Sequence, residues 1–150
     1  MEIQKAPLRV LLTDDDAGDR LVFNDIFEEL EIDTIVNMVN DGKQLMDFLK
    51  YENQPLPHII FLDLNMPNMN GLDCLKEIRK CSKYNDISIA IYSTSTSEKD
   101  IEDTFQFGAN IYITKPGDFN VLKKVLAKAL TAVKMNQGSD FDRENFVLKL

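Results

Sequence analysis

Carboxylates dominate the chemistry open to this sequence. Asp14, Asp15 and Asp16 stand consecutively after the apolar run Leu8–Leu12 and Thr13, and Asp63 ends a second run, His58–Leu62. Ser93, Thr94 and Ser95 follow a third run, and Lys115-Pro116 follows a fourth. At about 4 Å and an effective dielectric of about 20, each pair of like charges costs on the order of 4 kcal/mol, so the aspartates call for a cation. Without histidine or thiolate beside them, clustered carboxylates are hard oxygen donors, better suited to Mg2+ than to zinc. Mg2+ takes one or two carboxylates and keeps its other positions for water or phosphate oxygens. A lysine and a hydroxyl complete a phosphoryl pocket, in which a carboxylate can act as nucleophile.

These residues must be brought together by the elements that carry them. Leu8–Thr13, Thr34–Val39, His58–Leu62, Ile87–Tyr92 and Asn110–Ile113 read as short strands, apolar and partly β-branched. Between them run amphipathic stripes: Val22, Phe23, Ile26, Phe27 and Leu30; Leu45, Phe48 and Leu49; and a helix from about Leu72 to Cys81. Ser97–Phe107 gives a weaker helix that ends at Gly108. Asp118 is an N-cap for a last helix with Val121, Leu122, Val125, Leu126, Ala129 and Val133 on one stripe. Alternating strands and helices with short connections predict a doubly wound open parallel sheet, covered on both faces. Ligands of such sheets sit at the carboxyl ends of the strands, where all the groups above are found.

Composition narrows the partners. The 150 residues, 44% hydrophobic and 28% charged, suit one globular domain with a single core. A net charge of −8 argues against direct nucleic-acid binding, which needs Lys and Arg for phosphate contacts. No apolar run approaches the roughly 20 residues of a membrane span, and the N-terminus lacks a secretory signal pattern, so a cytoplasmic location is expected. Cys74 and Cys81 lie about 10 Å apart along a helix, too far for a disulfide, and share a face with Ile78; both are expected to be buried free thiols.

On the loop DLNMPNMNG, residues 63–71, with the acidic pair, Ser93 and Lys115-Pro116 in order and spacing, the chain resembles the receiver domain of two-component response regulators over roughly residues 8–134. The resemblance implies an α/β, flavodoxin-like sheet of order 2-1-3-4-5 and a receiver domain over 1–136, with 137–150 a short C-terminal extension. It implies that Asp63 accepts a phosphoryl group from a sensor histidine kinase or a histidine phosphotransfer protein. Asp15 then binds Mg2+ directly, Asp14 acts chiefly through a coordinated water, Asp63 shares the metal, and the Asn65 main-chain carbonyl is a further ligand. Lys115 pairs with the phosphate and Ser93 hydrogen-bonds to it. Tyr112 is the switch aromatic that turns inward, and Asn65 and Ser95 tune hydrolysis of the aspartyl phosphate. The implied protein is a stand-alone regulator that catalyses its own phosphorylation and dephosphorylation and acts on a downstream protein target, with homodimerisation among the outputs. Three residues depart from the family pattern: Thr13 and Tyr92 stand where aliphatic residues are usual, and Ser93 where threonine is commoner.

Competing readings attach to several of these residues. A calcium loop fails because its fifth and sixth positions are Pro67 and Asn68. A phosphohydrolase would carry a carboxylate two residues after the nucleophile, where this chain has Asn65. A receiver-like interaction module that does not switch stays open. Asp16 is either a third metal ligand or, with Asp19 three residues on, the helix cap, which is preferred. His58 is expected to be structural. For Phe141–Leu150, packing on its own domain or a twin subunit is preferred over binding another partner.

Overall fold

The computed structural model describes residues 6–136 and 143–148. Five strands, β1 (Leu8–Thr13), β2 (Thr34–Val39), β3 (Ile59–Leu62), β4 (Ser88–Ser93) and β5 (Ile111–Thr114), form one parallel sheet in the order β2-β1-β3-β4-β5. Helices α1 (Ala17–Glu29), α2 (Gly42–Lys50), α3 (Gly71–Lys80), α4 (Glu98–Gln106) and α5 (Phe119–Asn136) alternate with them. The expected fold is the observed one.

Strand composition follows position in the sheet. The central strands β3 and β4 are buried at every residue, as continuous apolar runs require when both faces are covered. The edge strand β2 alternates, leaving Ile35 48% exposed. Leu11, Ile60, Leu62, Ile89 and Ile91 pack on one face with Leu45 and Leu49 of α2, Leu75 and Ile78 of α3 and Ile101 of α4. Val10, Leu12, Phe61, Ala90 and Ile113 pack on the other with Phe23 and Ile26 of α1 and Leu126 and Leu130 of α5.

Helix starts are set by capping side chains. Asp16, Asp41, Asn70, Ser97 and Asp118 each accept a hydrogen bond from a first-turn backbone N–H, of Asp19, Gln44, Asp73, Asp100 and Val121 respectively. Asp16 is therefore the cap of α1, as preferred from the sequence.

Several boundaries differ from expectation. Ser93 lies inside β4, because its carbonyl is still paired across the sheet, and β5 likewise runs to Thr114. Helix α3 begins at Gly71, the residue after its Asn70 cap, and ends at Lys80. Cys81 is then the C-cap, half-buried rather than on the buried face with Cys74; both thiols are free. Val121, placed in the apolar stripe of α5, is 38% exposed, while its neighbour Leu122 is buried in the core.

The free edge of β5 is covered. Tyr112 donates its N–H to the Phe146 carbonyl at 2.8 Å and accepts from the Leu148 N–H at 2.9 Å, with Val147 in parallel register beside it. The Phe146 ring is fully buried, edge-on to Phe105 of α4 and to Tyr112. Arg143 reaches Glu102 of α4 at 3.0 Å. Packing on its own domain thus holds for residues 143–148; Phe141 and Leu150 lie outside the described residues.

Candidate functional site: an acidic pocket at the carboxyl edge of the sheet

Strand order reverses at β1, which has β2 on one side and β3 on the other, so a crevice opens at their carboxyl ends. Register then sets the site. Thr13 pairs with Leu62, so Asp14 and Asp63 emerge side by side, with the Asp63 N–H donating to the Thr13 carbonyl at 3.0 Å. Ser93 pairs with Thr114, and the Lys115 N–H donates to the Ser93 carbonyl at 2.8 Å, which aims Lys115 back over the acids.

Asp14, Asp15 and Asp63 each present a carboxylate oxygen within 4.8 Å of the others; Asp14 and Asp63 are buried and Asp15 is exposed. One Asp14 oxygen accepts from the Asp16 N–H at 3.0 Å, and the other from Lys115 Nζ at 2.8 Å. Asp63 Oδ1 accepts from the Asn65 N–H at 3.3 Å. Gly71 packs so tightly that a Cβ there would strike the Asp63 carbonyl, so the start of α3 and the end of β3 fix each other. In the loop between them Asn68 takes a left-handed φ of 68° and donates through Nδ2 to Asp41 at 2.9 Å, tying the loop to the start of α2.

Burial pushes the Asp63 carboxyl up to about 6; Lys115 opposes that shift, while Asp14 and Asp15 add to it. Burial alone would lower the Lys115 ammonium, but hydrogen bonds to Asp14 and Asp19 and the charge of Asp63 hold it well above the usual lysine range. Lys115 is a permanent cation facing more negative charge than it can neutralise. Among the described residues this is a donor set of hard oxygens with a charge deficit, and it fits a divalent metal.

The remaining expected residues form a second group. The Ser93 hydroxyl, fully buried, accepts from the Ser95 N–H at 3.1 Å. Ser95 Oγ donates to Asp100 of α4 at 2.6 Å, and the Tyr112 hydroxyl donates to the Ser95 carbonyl at 2.9 Å. Tyr112 is fully buried, and burial pushes its phenol up. His58 lies at the opposite end of the sheet, its Nδ1 accepting from the Arg9 N–H at 2.8 Å, which is the structural role expected of it.

Several participants were not legible in the sequence. Asp19 caps nothing: its carboxylate reaches Lys115 Nζ at 2.9 Å. Arg20 donates to the Asp14 carbonyl at 2.8 Å, and the Tyr92 ring faces Lys115 Nζ at 4.8 Å. A first-turn acid just after an acidic strand end was the available signal for Asp19, but its backbone N–H alone accounted for the capping pattern. Thr13 Oγ1 is buried without a hydrogen-bond partner among the described residues. No helix among the described residues is long and apolar enough to cross a membrane.

Comparison with known proteins agrees with this geometry. The family model of the response regulator receiver domain matches residues 10–127. The response regulator Rcp1 of Synechocystis is 31% identical over 124 residues, covering 80% of this chain and 84% of that protein. Among solved structures, the phosphorylated cyanobacterial phytochrome response regulator RcpA aligns with a TM-score of 0.79 at 27% identity, covering 89% of this chain and 98% of that one. The Mn2+-bound form of Rcp1 aligns with a TM-score of 0.76 at 27% identity, covering 91% and 99%. A site assembled from the ends of β1, β3, β4 and β5, on a chain matched through most of its length by one family model, places this protein in the response regulator receiver domain family of two-component signalling.

Proposed function

We propose that the chain is a phosphoacceptor switch. Asp63 takes a phosphoryl group from a phosphohistidine on a sensor histidine kinase or a phosphotransfer protein, with Mg2+ as cofactor. The observation that carries the proposal is the convergence of Asp14, Asp15 and Asp63 within 4.8 Å of one another, with Lys115 Nζ 3.6 Å from Asp63. Support for a metal and a phosphorylated state comes from the relatives that were solved Mn2+-bound and phosphorylated.

In this reading an Asp63 carboxylate oxygen attacks phosphorus. The new P–O bond forms as the P–N bond to histidine breaks, and the imidazole leaves with the electron pair. Asp14, Asp15, Asp63 and the Asn65 carbonyl would hold Mg2+, which supplies charge neutralisation for the phosphoryl oxygens. Lys115 stabilises charge from the opposite side, and the Ser93 hydroxyl releases the Ser95 N–H and turns to donate to the phosphoryl group. Asn65 and Ser95 flank the acyl phosphate and control access of water. Apart from this self-phosphorylation and self-dephosphorylation the chain has no enzymatic turnover. Its output is a changed surface offered to a downstream protein in the cytoplasm.

A second reading, a receiver that does not switch, has one observation in its favour. Tyr112 is already buried, bonded to the Ser95 carbonyl and packed on Phe146. Incubation with acetyl phosphate and Mg2+ followed by intact-mass spectrometry tests the chemistry. A single phosphoryl adduct in the wild type and none in Asp63→Asn is expected; no adduct, or one that survives Asp63→Asn, rejects the phosphoacceptor role. Amide shifts at Ser95 and Tyr112 on phosphorylation separate the switch from the static module.

A further inference from the structure

Among the described residues Lys115 is the cation that meets the pocket's carboxylates, and it is not resting on the group it is meant to serve. Its Nζ lies 2.8 Å from Asp14 Oδ2 and 2.9 Å from Asp19 Oδ2, but 3.6 Å from the nearer Asp63 oxygen, beyond hydrogen-bond range. The Tyr92 ring, 4.8 Å from the ammonium, faces it as well. The lysine side chain is only 10% exposed, so these partners rather than water decide where its charge sits.

Asp19 differs from the other two acids. Asp14 and Asp63 end strands and are buried, whereas the Asp19 side chain is 41% exposed on the first turn of α1. Its backbone N–H is held there by the Asp16 cap, which sets its carboxylate within reach of Lys115. It belongs to no metal cluster among the described residues. Among the described residues its carboxylate is held by Lys115.

We infer that Asp19 is a positioning residue that parks Lys115 against α1 in the resting protein and must yield it when a phosphoryl group arrives on Asp63. An anion on Asp63 and the Asp19 carboxylate compete for the same three ammonium hydrogens. The grip of a half-exposed carboxylate is weak enough to be broken, and it is paid back whenever the phosphoryl group leaves. The departure at Tyr92 has a place in the same arrangement, because an aliphatic side chain would offer the parked ammonium no π-face. The inference rests on the phosphoacceptor reading above.

The test uses the full chain as wild type, Asp19→Ala, Asp19→Glu and Asp16→Asn. Asp16→Asn removes one charge from the same loop and keeps a capping side chain, so it reports the effect of charge alone. Two measurements are made: the crystal structure of the metal-free Asp19→Ala protein, and the half-saturating concentration of beryllofluoride with Mg2+ in all four. In Asp19→Ala, Lys115 Nζ is expected to close to hydrogen-bond distance from Asp63, and half-saturation to fall about two- to fivefold, the scale of an exposed ion pair. Asp19→Glu and Asp16→Asn are expected to stay at the wild-type value. Lys115 left in place, an unchanged affinity in Asp19→Ala, or an equal gain in either other variant overturns the inference. A wild-type chain that takes neither beryllofluoride nor a phosphoryl group instead rejects the phosphoacceptor reading, and this inference falls with it.

Discussion

At Asp63 burial and the Lys115 charge pull the proton in opposite directions, and the outcome has a measurable sign. Burial raises the carboxyl to about 6, against about 3.9 in an unfolded chain. Between those values the folded state binds the more protons. The stability this group contributes is therefore fully present below about pH 4 and is lost as the pH rises through about 6. In chelator, urea unfolding of the wild type should show a midpoint that falls over this window relative to Asp63→Asn, which cannot titrate at that position. Thr13 offers a second test at the same scale. Its hydroxyl is buried and unpartnered among the described residues, so Thr13→Val removes a desolvated polar group at nearly constant volume. We expect it to stabilise the protein by about 1–2 kcal/mol in urea titration, with Mg2+ affinity unchanged. The resemblance to the receiver family already marked Thr13 as a departure, because an aliphatic residue is usual at that position. It could not say that the hydroxyl goes unanswered, since that depends on what the fold places around it.

Among the elements, the strands were the most legible. The central strands β3 and β4 are largely apolar runs, and such runs need both faces of a sheet covered. Ends were less legible: Ser93 belongs to β4 and Gly71 to α3 because of pairing and packing partners distant in sequence. The pairing of 146–148 with β5 was not legible at all. Phe146, Val147 and Leu148 make an apolar run too short to read as a strand, and the open edge of β5 gives them a partner. Truncating the buried ring by Phe146→Ala should cost up to about 3–5 kcal/mol, limited by how far the segment can detach without unfolding the rest. Hydrogen exchange distinguishes the two: faster exchange confined to the Tyr112 and Leu148 amides means local release, and faster exchange through β4 means global loss.

Over the whole molecule, one topological fact makes the site legible from the sequence. A doubly wound parallel sheet gathers the ends of its strands at one edge, so groups spread from Asp14 to Lys115 become neighbours. Residue types and order were enough to name Asp14, Asp15, Asp63, Ser93 and Lys115. They were not enough to find Asp19 or Tyr92 as partners of the lysine, because those contacts depend on how α1 and β4 face it. The central claim is that the acidic cluster is a metal-dependent phosphoacceptor, and it is tested most directly by the mass of the chain after acetyl phosphate, with and without Mg2+. The account predicts one phosphoryl adduct in the wild type with Mg2+, and none in chelator or in Asp15→Asn. An adduct of equal yield in chelator, or in Asp15→Asn, would contradict it.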